Sequence, residues 1–400
     1  MIRWVCAHLS AREHYAVPRA LHAAGRLSLM VTDAWVKPSS PWTLMPGVLA
    51  TRLSERYHAD LAAARVQDFT SALVFREATA RLRRLHGWRL AMDRNEWFQR
   101  RAADVVSAAP ADGPVVVFAH SYAARGVFEV AKRRGFKTVL GQIDAGITHF
   151  DLVRKLQAER PEYGMPAEQP PREYFQSWRL ECKLADAIVV NSEWSRDALI
   201  SAGIPARKLS IVPLSYEQDA ATRAPRAYPQ GFDRARPLRL LFVGSVTVQK
   251  GIAQLLEAME QLGDLPVALS VVGEIGIQIP PRFRAHPAIE WVGAVPRGEI
   301  GGHYARADVL VFPSHSDGFG MAQIEAQGWR LPIIASRHCG AVVQDGRNGL
   351  LLSEVTAKAI ADGIRRIVAE PHLLDAWSRN STGAGAGLPA LGPALLGLPL

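Results

Sequence analysis

Short apolar runs alternate with stretches of helical periodicity along this chain. In the second half, Leu238 to Val243 is a near-continuous apolar run closed by Gly244. Val267 to Val272 is closed by Gly273, and Asp308 to Phe312 by Pro313; Ile289 to Val292 and Leu331 to Ala335 have the same character. Runs this short, apolar on both faces and ended by glycine or proline, predict buried parallel strands. Between them Ile252, Leu255, Leu256, Met259 and Leu262 recur on one helix face, and 320–327 and 356–369 read as further helices. Strand, glycine-bearing loop, helix, strand is the order of an α/β doubly wound parallel sheet.

The first half repeats this less cleanly. Met1 to Ala7 reads as a buried first strand. Val115 to Ala119 ends in His120, Thr138 to Leu140 in Gly141, Ala187 to Val190 in Asn191-Ser192, and Leu209 to Val212 in Pro213. From about 36 to 105 the pattern turns helical and arginine-rich, which predicts a helical insertion. Residues 217–237 are rich in Ala, Arg and Pro without apolar periodicity and read as a linker. The chain therefore divides into a first domain over 1–216, the linker, a second domain over 238–377 and a low-complexity tail over 378–400. From Asn380 the tail carries no charge, and Pro389, Pro393 and Pro399 each remove a backbone donor, so it is expected to be disordered. Two α/β domains hinged at the linker enclose a cleft at the carboxyl ends of both sheets, where such sheets take ligands.

At 400 residues, with 48% hydrophobic and 21% charged, the composition is that of a soluble two-domain protein. No clean apolar run reaches spanning length. Cys6, Cys182 and Cys339 lie too far apart to outline a zinc site or a disulfide framework, which suits a reducing compartment. The apolar opening is too short for an export signal, so a cytoplasmic protein is expected. A net charge of +9 favours anionic partners. Its densest part runs from Arg76 to Arg101, through Arg81-Leu82-Arg83-Arg84 and Arg100-Arg101, with Trp88 and Trp97 interleaved. A solvated helix face accounts for it; an anionic membrane surface, at the inner face of the membrane, is the next candidate. No nucleic-acid partner is expected, because no helix-turn-helix, zinc or single-strand-binding motif accompanies the arginines.

Two segments carry chemistry. In Pro313-Ser314-His315-Ser316-Asp317-Gly318-Phe319-Gly320-Met321, a strand ends, a glycine loop follows and a helix begins near Gly320. Such a loop lets backbone N–H groups approach an anion, and the helix dipole favours it. Asp317 and, further along the helix, Glu325 suit hydroxyl groups, since an ionised carboxylate only accepts hydrogen bonds. A simple helix start with an Asp near its cap explains the segment equally well on its own. The second segment, Phe242-Val243-Gly244-Ser245-Val246-Thr247-Val248-Gln249-Lys250-Gly251-Ile252, ends a strand and brings a lysine to the start of a helix, where Lys250 can reach a phosphate between the domains.

Together the segments resemble family-four glycosyltransferases of the GT-B fold, the glycosyl transferases group 1 type. The resemblance is specific from about Leu238 to Leu352, looser from Ala185 to Pro213 and thin before that. It rests on Val243-Gly244, Lys250-Gly251-Ile252, then Asp317, Gly318-Phe319-Gly320 and Glu325 eight positions after the first acid, followed by Gly328, Leu331 to Ser336 and Asp345 to Leu350. It implies two Rossmann-like domains facing across a cleft, and retaining transfer of a sugar from a nucleotide-diphosphate sugar to a polysaccharide, glycolipid or other carbohydrate or lipid-linked acceptor. The first domain would be the acceptor side and the second the nucleotide-sugar side. Catalytic roles fall on His120, Lys250, Asp317 and Glu325. Donor binding falls on Gly244, Ser245, Lys250, Gly318, Phe319, Gly320 and Glu325, with Lys250 on the diphosphate, Asp317 on sugar hydroxyls and Glu325 on the ribose. The resemblance implies no metal and no cofactor beyond the nucleotide sugar, and no Asp-x-Asp motif is present. Asp144 and Ser192 are weaker cleft candidates.

The chain departs from the family pattern at Ser245, where arginine is usual, at Asp317, commonly glutamate, at Ala7 to Ser10, where a glycine pair is common, and at Ala341, often glutamate. Three rivals stand beside the transferase. A glycoside hydrolase would need its carboxylates on separate elements, unlike Asp317 and Glu325. The others are a nucleotide-sugar epimerase on the same architecture and a non-catalytic nucleotide-sugar-binding protein.

Overall fold

The computed structural model describes residues 2–44, 53, 55–82, 84–110, 112–164, 168–215, 226–381 and 387–400. The first sheet contains β1 (Arg3–His8), β2 (Leu27–Thr32), β3 (Val66–Asp68), β4 (Val115–His120), β5 (Lys137–Gly141), β6 (Ala187–Val190) and β7 (Leu209–Ile211), in the spatial order β3-β2-β1-β4-β5-β6-β7. The second contains β8 (Leu238–Val243), β9 (Val267–Val272), β10 (Ile289–Gly293), β11 (Val309–Phe312), β12 (Ile333–Ala335) and β13 (Gly349–Leu351), ordered β10-β9-β8-β11-β12-β13. Every pairing is parallel, as helical crossovers require. In each sheet the chain starts at the centre, runs to one edge and returns to the other side. The strand order thus reverses between β1 and β4 and between β8 and β11, and each reversal opens a crevice at the carboxyl ends of the strands.

The 36–105 segment is not a separate helical insertion. It supplies edge strand β3 and two helices, Thr70–Leu82 and Gly87–Ser107. Phe98, Ala102 and Val106 of the second helix bury against Val5, Val31, Val117 and Phe128, so this helix covers the first sheet. Two of the segment's arginines, Arg76 and Arg94, turn into the domain, while Arg84, Arg89, Arg100 and Arg101 are exposed. Arg94 pairs with the buried Asp33, Arg76 pairs with Asp93 and Glu77, and Arg76 and Arg101 lie over the Trp97 ring. Arg100 remains mostly exposed. Arg83, like residues 45–52 and 54 of the segment, lies outside the described residues.

Of the expected linker, residues 217–225 lie outside the described residues. The remainder packs on the second domain: Arg226 donates to the carbonyls of Tyr304 and Trp329, and Arg236 makes a two-pronged contact with Asp308, which also binds Arg239.

The tail departs from expectation. His372–Asn380 still belongs to the second domain, where Leu374 and Trp377 are buried. The chain then crosses back, and Leu388–Leu396 forms a helix against Ala16–Ala23 of the first domain. Leu391, Leu395 and Leu398 bury among Trp4, Leu21, Val116 and Phe118. Pro389 falls in the first turn, where its missing N–H has no partner to lose. The lack of charge that suggested disorder is what a helix lying on an apolar sheet requires. Residues 382–386 of this tail lie outside the described residues.

Replacing the fully buried Leu395 by alanine is expected to destabilise the first domain by about 2–5 kcal/mol. Urea unfolding followed by tryptophan fluorescence checks this, and a change within error would mean that the helix does not dock.

Candidate active site

The carboxyl ends of β8 and β11 meet. After β8, Gly244 turns the chain at φ 135°, and Val248–Lys250 forms a single tight turn that ends at Gly251 with φ 74°. A Cβ on Gly251 would stand 2.0 Å from the carbonyl oxygen of Pro313, just after β11, so only glycine allows the two loops this approach. The backbone N–H of His315 and the hydroxyl of Ser314 both donate to the Gln249 carbonyl, at 2.8 and 3.3 Å. Laced together in this way, the loops bring Lys250 Nζ onto Asp317 Oδ2 as an ion pair. Lys250 also lies 5.7 Å from the Phe312 ring centroid, and the Asp317 backbone N–H is held by the His338 carbonyl at 2.9 Å. The two charges proposed from sequence are thus adjacent, each about one-fifth exposed, at the reversal point of the second sheet.

The glycine loop is anchored rather than open. Gly318 is buried against the first domain, where an added Cβ would lie 2.4 Å from the Ile143 carbonyl oxygen. Its own carbonyl accepts from Ser192 and Ser195 at 2.7 and 3.3 Å. The Phe319 ring packs beneath Gly340, its carbonyl accepts from Gly340 N–H, and its N–H points to Asp317 Oδ1 at 3.4 Å. Gly320, at φ 89°, starts the helix Met321–Gly328. Glu325 lies within that helix and accepts from the Tyr304 hydroxyl at 2.8 Å. Among the described residues no hydrogen bond or ion pair joins it to Lys250 or Asp317. Ser245 is exposed, and space is open around Gly244 where a Cβ would stand.

His120 sits elsewhere. It closes β4 in the interior of the first domain, with its Nε2 3.2 Å from His8 Nε2. His8 Nδ1 lies 2.8 Å from the Ser10 carbonyl, which can only accept; His8 therefore carries its proton there, and His120 Nε2–H is the donor between the rings. The imidazole that does face the ion pair is His149, which the sequence reading passed over. It lies on the helix Ile147–Glu159, with Nδ1 3.1 Å from the Ser316 hydroxyl, and that hydroxyl accepts from Trp194 Nε1–H. Burial holds its pKa below the usual value, while Asp144 opposes the shift, Lys250 adds to it and Asp317 opposes it. Asp144 accepts from the Tyr122 hydroxyl, the Gln142 amide and the Gly146 N–H, and its backbone abuts Gly318. A strand end at Gly141, an acid at Asp144 and a helix starting after Gly146 formed the signal that pointed to His149 one turn later.

The same helix and the turn after it, Pro161–Tyr163, hold the domains together. Leu156 and Tyr163 join the core of the second domain, Arg160 pairs with Glu257, and the Gln278 N–H donates to the Tyr163 carbonyl. Among the described residues no cluster of metal-ligating side chains occurs, and no helix is long and apolar enough to cross a membrane.

Two doubly wound domains whose strand ends face one another, with a cation and a carboxylate at the second reversal point, define the GT-B class of fold. Residues 237–370 match the glycosyl transferases group 1 family, so the chain carries a domain of that family. The chain is 30% identical over 221 residues to a D-inositol 3-phosphate glycosyltransferase of Geodermatophilus obscurus, covering 50% of this chain and 49% of that protein. It is 25% identical over 299 residues to an alpha-maltose-1-phosphate synthase of Mycolicibacterium smegmatis, covering 68% and 74%. Apart from that synthase, the chain spans about half the length of the first curated relatives it matches. In fold it is similar to Anabaena Alr3699/HepE, solved with UDP-glucose, with a TM-score of 0.63 at 14% identity over 98% of both chains.

Burial pushes His8 down to about 4 and His120 well below the usual histidine value, with further lowering of His120 by His8 and Arg12. A histidine whose pKa falls on folding contributes fully above its unfolded value, near 6.5, and loses that contribution as pH falls towards the folded value. The stability that His8 and His120 contribute is therefore expected to fall between about pH 6.5 and about pH 4, against the opposite trend of Glu13 and Glu181, whose buried carboxyls are raised to about 7. Denaturant midpoints across that window check it, and a His120→Phe variant should show the shallower slope.

Proposed function

We propose that this protein transfers a sugar, with retention at the anomeric carbon, from a nucleoside-diphosphate sugar to a hydroxyl of a carbohydrate or lipid-linked acceptor. The observation that carries this reading is the Lys250–Asp317 pair, held by laced loops at the reversal point of the second sheet and tied to the first domain through Gly318. The family of residues 237–370 supports it, as does the likeness in fold to a protein solved with UDP-glucose.

On this reading the diphosphate takes over Lys250 from Asp317, a charge-assisted contact that strengthens as negative charge grows on the leaving group. Asp317, released, accepts from hydroxyls of the donor sugar. Gly244 and Ser245 form the open floor of the diphosphate site, because no side chain fills the space over Gly244. Glu325, oriented by Tyr304, accepts from the ribose hydroxyls. Gly318, Phe319 and Gly320 set the loop that carries Asp317 and start the helix whose positive end faces the leaving phosphate. His149 is the imidazole beside the donor sugar; His120 acts one layer back, by holding His8 and the loop after β1. The chemistry calls for no metal, because Lys250 and the helix start supply the positive charge. The expected setting is the cytoplasmic side of a membrane where polysaccharide or glycolipid is built, with the exposed Arg100 face towards anionic lipid.

Calorimetric titration with UDP and GDP, followed by a donor screen for nucleoside diphosphate release, tests the reading. At least one nucleotide should bind, and Lys250→Ala should weaken it about 10- to 100-fold, the equivalent of losing about 1.5–3 kcal/mol. Product NMR should show the donor's anomeric configuration kept. Nucleotide binding with no turnover of any donor would leave the non-catalytic rival standing. Interconversion of the nucleotide sugar would favour the epimerase, and sugar release without nucleotide the hydrolase.

The ribose assignment has its own check. Glu325→Ala should weaken binding of the nucleoside diphosphate by up to about tenfold, one or two lost hydrogen bonds, with a smaller change in affinity for inorganic pyrophosphate. An unchanged nucleotide affinity removes the assignment.

A further inference from the structure

The second domain carries a polar groove of about 350 Å³ away from the cleft, lined by Arg239, Ala268, Ser270, Glu290, His303 and Arg306 among others. The winding of the second sheet leaves it open. Leu240, Val267, Leu269 and Ile289 face one side of the sheet and join its larger core, and the short helix of the β9–β10 crossover, Pro281–Arg284, packs Phe283 into that same core. Side chains alternate along a strand, so Arg239, Ala268, Ser270 and Glu290 face the other side. A parallel sheet ordinarily has helices over both faces. Here the helix Ile300–Arg306 lies beside β8, and Ala268 and Ser270 stay half-buried as a floor of small side chains. Arg239 stands near the amino end of β8, about 16 Å of strand before Gly244.

Positive charge is in surplus at the β8 side of this groove. Asp308 is almost fully buried and is shared by Arg236 and Arg239, whose guanidinium nitrogens reach its two oxygens at 2.7–3.2 Å. Arg306 is exposed and makes no ion pair among the described residues; its Nη2 lies 3.4 Å from His303 Nδ1. A cation at the end of a helix often serves the last carbonyls. That task falls to Arg226 here, which donates to the carbonyls of Tyr304, Ala305 and Ala307. Arg306 and His303 are left to face the groove. At the β10 side, Glu290 accepts from the Ser270 hydroxyl at 2.9 Å and keeps an oxygen for a further donor. Three guanidinium groups around one buried carboxylate at one side, and a carboxylate with a hydroxyl at the other, match a small molecule that bears both a phosphate and hydroxyl groups.

One short element joins this groove to the donor side of the domain. His303 and Arg306 flank Tyr304 on the helix Ile300–Arg306, and the buried Tyr304 donates its hydroxyl to Glu325. A ligand that holds His303 and Arg306 therefore fixes the turn that orients Glu325. We propose that the groove is an effector site for a small phosphorylated, hydroxyl-bearing metabolite, and that filling it strengthens nucleotide binding by holding Tyr304 against Glu325. The effector role rests on the ribose assignment to Glu325; the existence of the site does not. Linkage makes the strengthening mutual.

Calorimetry of ribose 5-phosphate, glycerol 3-phosphate and ribose on the full-length protein, with and without UDP or GDP, tests this. At least one of the two phosphates should bind tenfold or more tightly than ribose and should still bind when nucleotide fills the cleft. Arg306→Ala should weaken it at least fivefold and leave the nucleotide's own affinity unchanged. With the phosphate bound, nucleotide should bind at least twofold more tightly. Tyr304→Phe, which keeps the ring and removes the hydroxyl, should abolish that gain without weakening the phosphate. No preference over ribose, competition between phosphate and nucleotide, indifference to Arg306→Ala, or an unchanged nucleotide affinity overturns the proposal. Failure of the transferase reading looks different: no nucleotide binds to the unmodified protein, the effector role falls with it, and the phosphate still titrates an Arg306-dependent site.

Discussion

The site depends on how closely two loops of the second domain approach each other. Gly251 sits against the Pro313 carbonyl at a distance that no other residue could keep, and the backbone at Gln249 is hydrogen-bonded across to Ser314 and His315. With the loops fixed, Lys250 and Asp317 have little choice but to meet. Their pairing is favourable in itself, yet it is also the arrangement that a more highly charged anion could displace. A cation neutralised by a neighbouring carboxylate is kept in position without being free to attract every passing anion.

A second constraint reaches across the cleft. Ser192 and Ser195 hold the carbonyl of Gly318, and Gly318 has no side chain because the Ile143 backbone occupies that space. The loop that carries Asp317 is therefore set partly by the first domain. Trp194 and His149 reach the same loop through Ser316. Chemistry attributed to one domain is thus shaped by side chains of the other, as expected when a site forms between two crevices.

Much of this was legible in sequence where burial leaves a continuous apolar trace. Strands β8 to β12 are such traces, and the Lys250 and Asp317 loops follow two of them. The edges were not legible. β3 has three residues, Val66–Asp68, only one of them apolar, and β13 is equally short, so neither stands out from a loop. Serine interrupts β2, Leu27–Thr32, which hid a strand one place in from the sheet edge. The tail misled because Pro389 falls in the first turn of the helix, because apolar burial keeps Pro393 inside the helix despite the backbone bond it removes, and because a peptide without charge reads as low complexity until the surface it covers is known. His120 was assigned from its strand-end position, whereas its partner His8, from a strand remote in sequence, decides where its ring lies. The strand end and helix start before His149 are local, but that its ring meets Ser316 depends on contact between domains, which no local pattern carries.

The returning helix Leu388–Leu396 has a mechanical consequence. The polypeptide passes between the two domains twice, once after β7 and again after Asn380, and both ends of each passage are docked. Together with the contacts made by Ile147–Glu159 and Gly318, these two ties resist sliding of one domain over the other. The last helix thereby links Ala16–Ala23, and the loop that leads into it, to His372–Asn380 of the second domain through the chain itself.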